Sequence, residues 1–274
     1  MRFVIFLGIL ACALGRTLIP MTDVTAEKLR DMGYDPDGSW YQVKHDESDG
    51  DPPKEFDSRE KWPGCIHPPM EEGSCLGSWA LSAASVLSDR LCIKTAGKTN
   101  VQLSAQYLIS CDTNDGGCAG KSNYKNVFQY LYSYGTPTEE CYPYVSGKDG
   151  KNGECKTTCT GKGEMQQYKC GTITFGVTEL DVKTEVMAKG PMYCRLDRYR
   201  DFDDYKSGIY YKVSEQLMEK DRGVKIIGWG EENHITFWIV TNNWTLNWGE
   251  NGYFRITIGQ SGICTIAISC EAYT

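Results

Sequence analysis

The chain has 274 residues, 41% hydrophobic and 24% charged, a composition that excludes disorder over most of its length. That length suits one large domain or two modest ones sharing a cleft. A net charge of −7 argues against nucleic acid or an anionic membrane as the main partner.

Residues 1–15, "MRFVIFLGILACALG", open with Arg2, run apolar and end in small residues. This is the layout of a secretory signal peptide. The stretch is shorter than the ~20 apolar residues that span a bilayer, and no later run replaces it. Residues 16–54 read as a short leader and linker. Thr25–Tyr34 predicts a short helix, and His45–Lys54, acidic with Gly and Pro, an exposed and cleavable link. The folded domain is expected over residues 55–274.

Ser78–Lys94 predicts a helix, because Trp79, Ala83, Leu87 and Leu91 recur every fourth residue as one apolar stripe. The preceding "EEGSCLG" is a turn with two glycines. Residues 101–134 read as helix in pieces, broken by the Gly/Cys loop Cys111–Lys121. Cys141–Gly171, rich in Gly, Lys, Thr and Cys, reads as a stapled loop region. Thr178–Gly190 predicts a helix that stops at Gly190 before Pro191. Strands follow at Gly223–Gly230, Thr236–Trp244 and Gly252–Gly259, where β-branched and aromatic residues run between glycines. The sum is an α+β protein of two subdomains, with the groove between them as the natural binding site.

Of 13 cysteines, Cys12 leaves with the signal peptide, so twelve remain. A dense, even set in a secreted chain implies several disulfides. Cys155 and Cys159 have a spacing that zinc could use, but no paired His supports it. No metal and no cofactor is expected.

Several stretches carry a family resemblance: "FDSREKWPGC", "GSC" four residues before Trp79, "SDRLCIKT", "LSAQYLISC", "GGCAG", "CYPY", "YKSGIYY", "IIGWG" and "NNW" leading to "WGENGYFRI". In order and spacing they resemble the papain-type cysteine peptidases, closest to the cathepsin B branch. The resemblance implies a papain-like fold with a helical left subdomain, a β-barrel-like right subdomain and a cleft between them. In that family a Cys opens the central helix as nucleophile, a His from the β subdomain faces it, and an Asn orients the His. A Gln six residues before the Cys completes the oxyanion hole. The helix N-terminus and an imidazolium favour the thiolate, and the His then protonates the leaving amine.

Gly73, Cys75 and Trp79 fix the register and put Ser78 at the nucleophile position. Glu72 takes the oxyanion position, where an ionised carboxylate donates no hydrogen bond; losing one such donor typically costs about 10²–10³ in rate. Arg222 takes the His position, and a guanidinium cannot accept a proton there. Asn242 matches the orienting Asn and is expected to hydrogen-bond Arg222. Trp244 and Trp248 match the indoles that shield the site. A slip of three residues would instead make Cys75 the nucleophile, off the helix start and away from Trp79. Serine is a good N-cap, worth about 1 kcal/mol, and that role fits Ser78 better than a nucleophilic one. His67 and His234 lie in no matching motif and read as surface or turn residues. On the cleft floor, Gly117–Lys121 matches a "Gly-Cys-Asn-Gly-Gly" run, with Gly120 retained and Lys121 placing a cation where substrate backbone would approach.

The resemblance also implies bridges Cys65–Cys92 and Cys75–Cys118, and leaves the pairing of Cys111, Cys141, Cys155, Cys159, Cys170, Cys194, Cys264 and Cys270 open. The paired-His insertion that makes cathepsin B a dipeptide-removing enzyme has no counterpart between Cys118 and Cys141. Asn243-Trp244-Thr245 is a glycosylation sequon in what reads as a buried strand end. The expectation is a secreted or lysosome-like, monomeric, non-cleaving homologue that binds a peptide, a protease inhibitor or a protein. The alternative is a weak endopeptidase using Ser78 or Cys75.

Overall fold

A computed structural model describes residues 40–43, 51–120 and 123–273. The signal peptide, the expected leader helix at Thr25–Tyr34, most of the acidic link and Lys121 lie outside the described residues.

In chain order the strands are β1 (Trp40–Gln42), β2 (Phe56–Asp57), β3 (Lys169–Gly176), β4 (Met192–Tyr199), β5 (Ile209–Tyr210), β6 (Leu217–Glu232), β7 (Ile235–Thr241), β8 (Tyr253–Thr257) and β9 (Ala267–Tyr273). The helices are α1 (Ser58–Lys61), α2 (Ser78–Lys94), α3 (Ala105–Cys111), α4 (Tyr124–Ser133) and α5 (Glu179–Lys189). None of the described helices is long and apolar enough to cross a membrane.

Helix α2 has the bounds the sequence predicts. Its burial is greater than one stripe: of its 17 residues only Ser85, Ile93 and Lys94 are not buried. A helix enclosed on all sides must satisfy its polar groups internally. Ser82 Oγ donates to the Gly223 carbonyl, and Arg90 reaches Glu185 and three backbone carbonyls. Asp89 takes Lys225 Nζ at 2.6 Å and His67 Nδ1 at 2.8 Å. His67 is therefore braced against the middle of α2, not the surface residue expected, whereas His234 is exposed on the turn after β6.

Two cores divide the molecule. One gathers α2, α3 and α4 with Ile173 and Phe175 of β3 and Ile268, Cys270 and Ala272 of β9. The other lies between α5 and strands β4, β6, β7 and β8. One sheet serves both, in the order β1-β3-β9-β4-β6-β7-β8-β5, with β2 paired to β6. The β half is thus an open path ending in β1 and β5 rather than a hydrogen-bonded closed barrel. β6 runs farther than Gly223–Gly230, because its first residues pair with Arg198 and Tyr199 of β4 across register shifts.

Strands β3, β4 and β9 are absent from the sequence reading. Met192, Cys194 and Leu196 alternate into the second core from β4, but Arg195, Asp197 and Arg198 between and after them mask the period. Helix α5 follows its signals closely: Thr178 and Asp181 form a capping box, and Gly190 ends it at φ 103°. A Cβ at Gly190 would lie 2.5 Å from Ile93 Cδ1, so only glycine fits without displacing that side chain.

All twelve remaining cysteines are paired. Cys65–Cys92 and Cys75–Cys118 are present as expected. The open pairings resolve as Cys111–Cys155, Cys141–Cys159, Cys170–Cys270 and Cys194–Cys264. The first two of these staple the 141–171 region, and Cys170–Cys270 joins β3 to β9.

Candidate functional site

The turn into α2 begins at Glu72. Cys75 N–H returns to the Glu72 carbonyl, and Gly73 takes φ 60°, where an added Cβ would strike the Gly147 carbonyl oxygen at 2.4 Å. Cys75 is fully buried and bonded to Cys118, so it is no thiol nucleophile. The N-cap of α2 is Gly77, whose carbonyl accepts Ala80 and Leu81 N–H; Ser78 is the first helical residue. This corrects the expected N-cap role. Among the described residues, the hydrogen-bond partner of Ser78 Oγ is the Gly223 N–H, at 3.2 Å. Ser78 is buried, and this contact ties the helix start to β6 rather than to a base.

Arg222 stands on β6 with its side chain fully buried. Three hydrogen bonds hold it: Nη2 to Glu72 Oε1 at 2.6 Å, Nη1 to Glu219 Oε2 at 3.0 Å and Nε to Asn242 Oδ1 at 3.0 Å. Its guanidinium also lies 4.9 Å from the Trp244 ring centre, on which a flat cation stacks well. Glu72, 4% exposed, accepts a second hydrogen bond on Oε1 from Trp244 Nε1 at 2.8 Å. The expected Asn242–Arg222 contact is present. Asn242 Oδ1 also accepts the Asn243 N–H, while among the described residues Asn242 Nδ2 and Glu72 Oε2 are buried without a partner.

The electrostatics follow from these contacts. Burial works against the charge of Arg222, but Glu72 and Glu219 more than offset it and hold the guanidinium above its ordinary range. Burial pushes the Glu72 carboxyl upward, against the pull of Arg222, with Glu219 adding to the rise. The two directions pull apart: Arg222, held by two carboxylates, keeps its charge more firmly, whereas burial disfavours the charge of Glu72, which shares its cation and, among the described residues, keeps one oxygen unsatisfied.

The remaining site residues surround this network. Trp244 meets Trp248 edge-on at 4.9 Å. Asn243, 3% exposed, gives its Nδ2 to Ser82 Oγ at 2.8 Å, so the sequon amide is spent inside the fold. Gly120 has φ 68°, and a Cβ there would sit 2.9 Å from Leu76 Cβ. Leu76 therefore lies over Gly120 with 46% of its surface exposed, covering the backbone read as the cleft floor. Sequence reasoning passed over Leu76, although it sits in the register-fixing run, and over Glu219, whose only signal was proximity to Arg222. Among the described residues, two surface cavities of about 330 Å³ and one of about 550 Å³ are lined by residues other than Glu72, Ser78 and Arg222.

Chemically the cluster holds charge rather than moving a proton. The described histidines are elsewhere. Asp89, which binds His67, is eleven residues beyond Ser78 on α2, about 16 Å at a rise of ~1.5 Å per residue. Among the described residues no group of three or more His, Cys, Asp or Glu could hold a metal ion.

Known proteins share this frame. The chain is similar to cathepsin B-like CP3 of Giardia intestinalis, 34% identical over 207 residues that cover 74% of this chain and 69% of that protein. It is similar to cathepsin B-like cysteine proteinase 4 of Caenorhabditis elegans, 33% identical over 251 residues, covering 80% and 74%. The solved structure of proCathepsin B S9 from Trypanosoma congolense matches with a TM-score of 0.79 and 31% identity, over 86% of this chain and 84% of that one. The family described as papain family cysteine protease matches residues 52–274. The chain therefore belongs to the papain family, with cathepsin B-like proteins among its relatives.

Proposed function

We propose that this papain-family, cathepsin B-like chain does not cleave peptides and acts by binding one, or a protease inhibitor or protein. The observation that carries the reading is the closed network of Arg222 with Glu72, Glu219 and Asn242. An arginine tied to two carboxylates accepts no proton, and Glu72 presents acceptor oxygens where an oxyanion needs donors. Among the described residues Ser78, whose hydroxyl meets a backbone N–H, has no base to activate it. The six disulfides support an oxidising compartment, secreted or lysosome-like. In the assay, mature protein meets a peptide library and a thiol-reactive peptide probe; neither turnover nor labelling is expected. Turnover that disappears in Ser78→Ala would overturn the reading and favour a weak serine hydrolase.

A further inference from the structure

The end of α2 opposite Ser78 is tied down by a second buried arginine. Arg90 is 3% exposed and knots three elements. Its Nε donates to the Cys270 carbonyl of β9 at 2.9 Å, and its Nη1 to the Gly190 and Pro191 carbonyls at the end of α5, at 3.0 and 3.2 Å. Its Nη2 donates to Glu185 Oε1 of α5. A guanidinium has five N–H groups, so among the described residues one N–H of Nη2 is left over. A surface cavity of about 330 Å³ opens beside this knot, between the last turns of α2 and α5 and strand β9. That is the low end of the ~300–1,000 Å³ of small-ligand pockets.

The lining is both cationic and apolar. Arg90, Lys94 and Lys189 face it, three cations against the single carboxylate of Glu271. Ile93, Ala188 and Ala272 supply an apolar wall. Gly190 shapes that wall, because a Cβ there would meet Ile93 Cδ1 at 2.5 Å. Nearby groups do not cancel the positive charge. Lys94 Nζ lies 3.7 Å from the centre of the Tyr273 ring, a partner without a full charge. Lys189 shares Glu185, at 3.4 Å, with Arg90. Glu271 accepts the Tyr273 O–H at 2.9 Å. Glu185 and Glu271 together are two carboxylates against three cations, in a chain whose net charge is −7. Burial lowers Arg90 from its ordinary range by more than Glu185 and Glu271 restore, the opposite of Arg222. Both lysines stand in the last turn of their helices, where a cation suits the macrodipole. That accounts for their places in the sequence and not for an apolar cavity between them.

We propose that this cavity is a binding site for a small organic carboxylate with a short apolar body. The carboxylate takes the cationic side formed by Arg90, Lys94 and Lys189, and the hydrocarbon lies against Ile93, Ala188 and Ala272. The site is separate from the cleft. Its described lining includes none of Glu72, Ser78 and Arg222, so it stands whether the chain cuts peptides or only binds them. A bound ligand clamps α2 to α5 and β9, and stabilises the fold by mass action.

The test is titration of the full chain with sodium hexanoate at constant ionic strength, read by calorimetry and by melting temperature. Hexanoate should saturate one site with a Kd on the order of 1 mM, the scale for so small a ligand, and raise Tm as it fills. Hexanol has the body without the charge, and sodium sulfate has charge without the body. Each should bind at least about ten-fold more weakly than hexanoate. Lys94→Gln with Lys189→Gln, both at exposed positions, should weaken hexanoate by about ten-fold. Ala188→Phe, also at an exposed position, fills the cavity and should abolish saturation. Absence of saturable hexanoate binding to the native chain overturns the site. Equal binding of hexanol or of sulfate overturns the carboxylate class, and that comparison needs no variant to fold. An unchanged affinity in a folded Ala188→Phe, or in the folded lysine pair, puts the ligand elsewhere and overturns it too.

Discussion

Replacing Arg222 by methionine removes the cation while keeping much of the side-chain volume. Glu72 is then left 4% exposed, with Trp244 Nε1 as its donor, and Asn242 Oδ1 loses Arg222 Nε. Breaking a buried ion pair from one side costs about 3–5 kcal/mol, because a charge stays behind without its partner. For a domain of this size that lowers Tm by about 6–20 °C, at roughly 2–4 °C per kcal/mol. Glu72→Gln alone is milder, since Arg222 keeps Glu219 and Asn242. In the double variant Glu72→Gln with Arg222→Met no charge is stranded at position 72, so much of the loss should return, although Glu219 then loses its bond to Arg222. Urea unfolding of the four proteins closes a double-mutant cycle, with an expected coupling of at least about 1.5 kcal/mol. Additivity within about 0.5 kcal/mol would show that the pair behaves as a solvated surface contact, and the argument from burial would fail.

Reinstating the three family residues by Glu72→Gln, Ser78→Cys and Arg222→His should give a sulfur that reacts with iodoacetamide yet turns over peptides poorly, because Leu76 still covers Gly120; adding Leu76→Gly should raise kcat/KM. Intact mass of protein from a secreting host should show no glycan on Asn243, and Asn243→Ala should destabilise by about 1–3 kcal/mol by leaving the Ser82 and Gly223 acceptors short of a donor.

The residues differ in how much of this they announced. Helix α2 was legible because its apolar repeat and the glycine turn before it are local signals. Helix α5 carried its terminal glycine, followed by proline, openly. β4 was hidden because Arg195, Asp197 and Arg198 break its apolar run and resemble a polar loop until Arg195 is seen paired with Asp221 and Arg198 with Glu219. β3 was hidden by the cysteine- and glycine-rich flank that ends at Gly171. At the site, the register identified Glu72, Ser78, Arg222 and Asn242, and it anticipated the Arg222–Asn242 hydrogen bond. It did not disclose that Glu72 and Arg222 bind each other, since 150 residues separate them and only the fold brings them together. Nor did it disclose that Ser78 turns its hydroxyl to Gly223, which depends on β6 running beside the helix start.

The Arg222–Glu72 contact also bears on history. A lineage that had lost cleavage by one replacement could regain it by one reversal. Once arginine and glutamate depend on each other, reversing the arginine alone strands the Glu72 charge and lowers the yield of folded chains, whereas reversing the glutamate alone leaves Arg222 its Glu219 partner. On the proposed reading, selection on folding orders the route back to a working peptidase: glutamine at position 72 has to come before histidine at position 222.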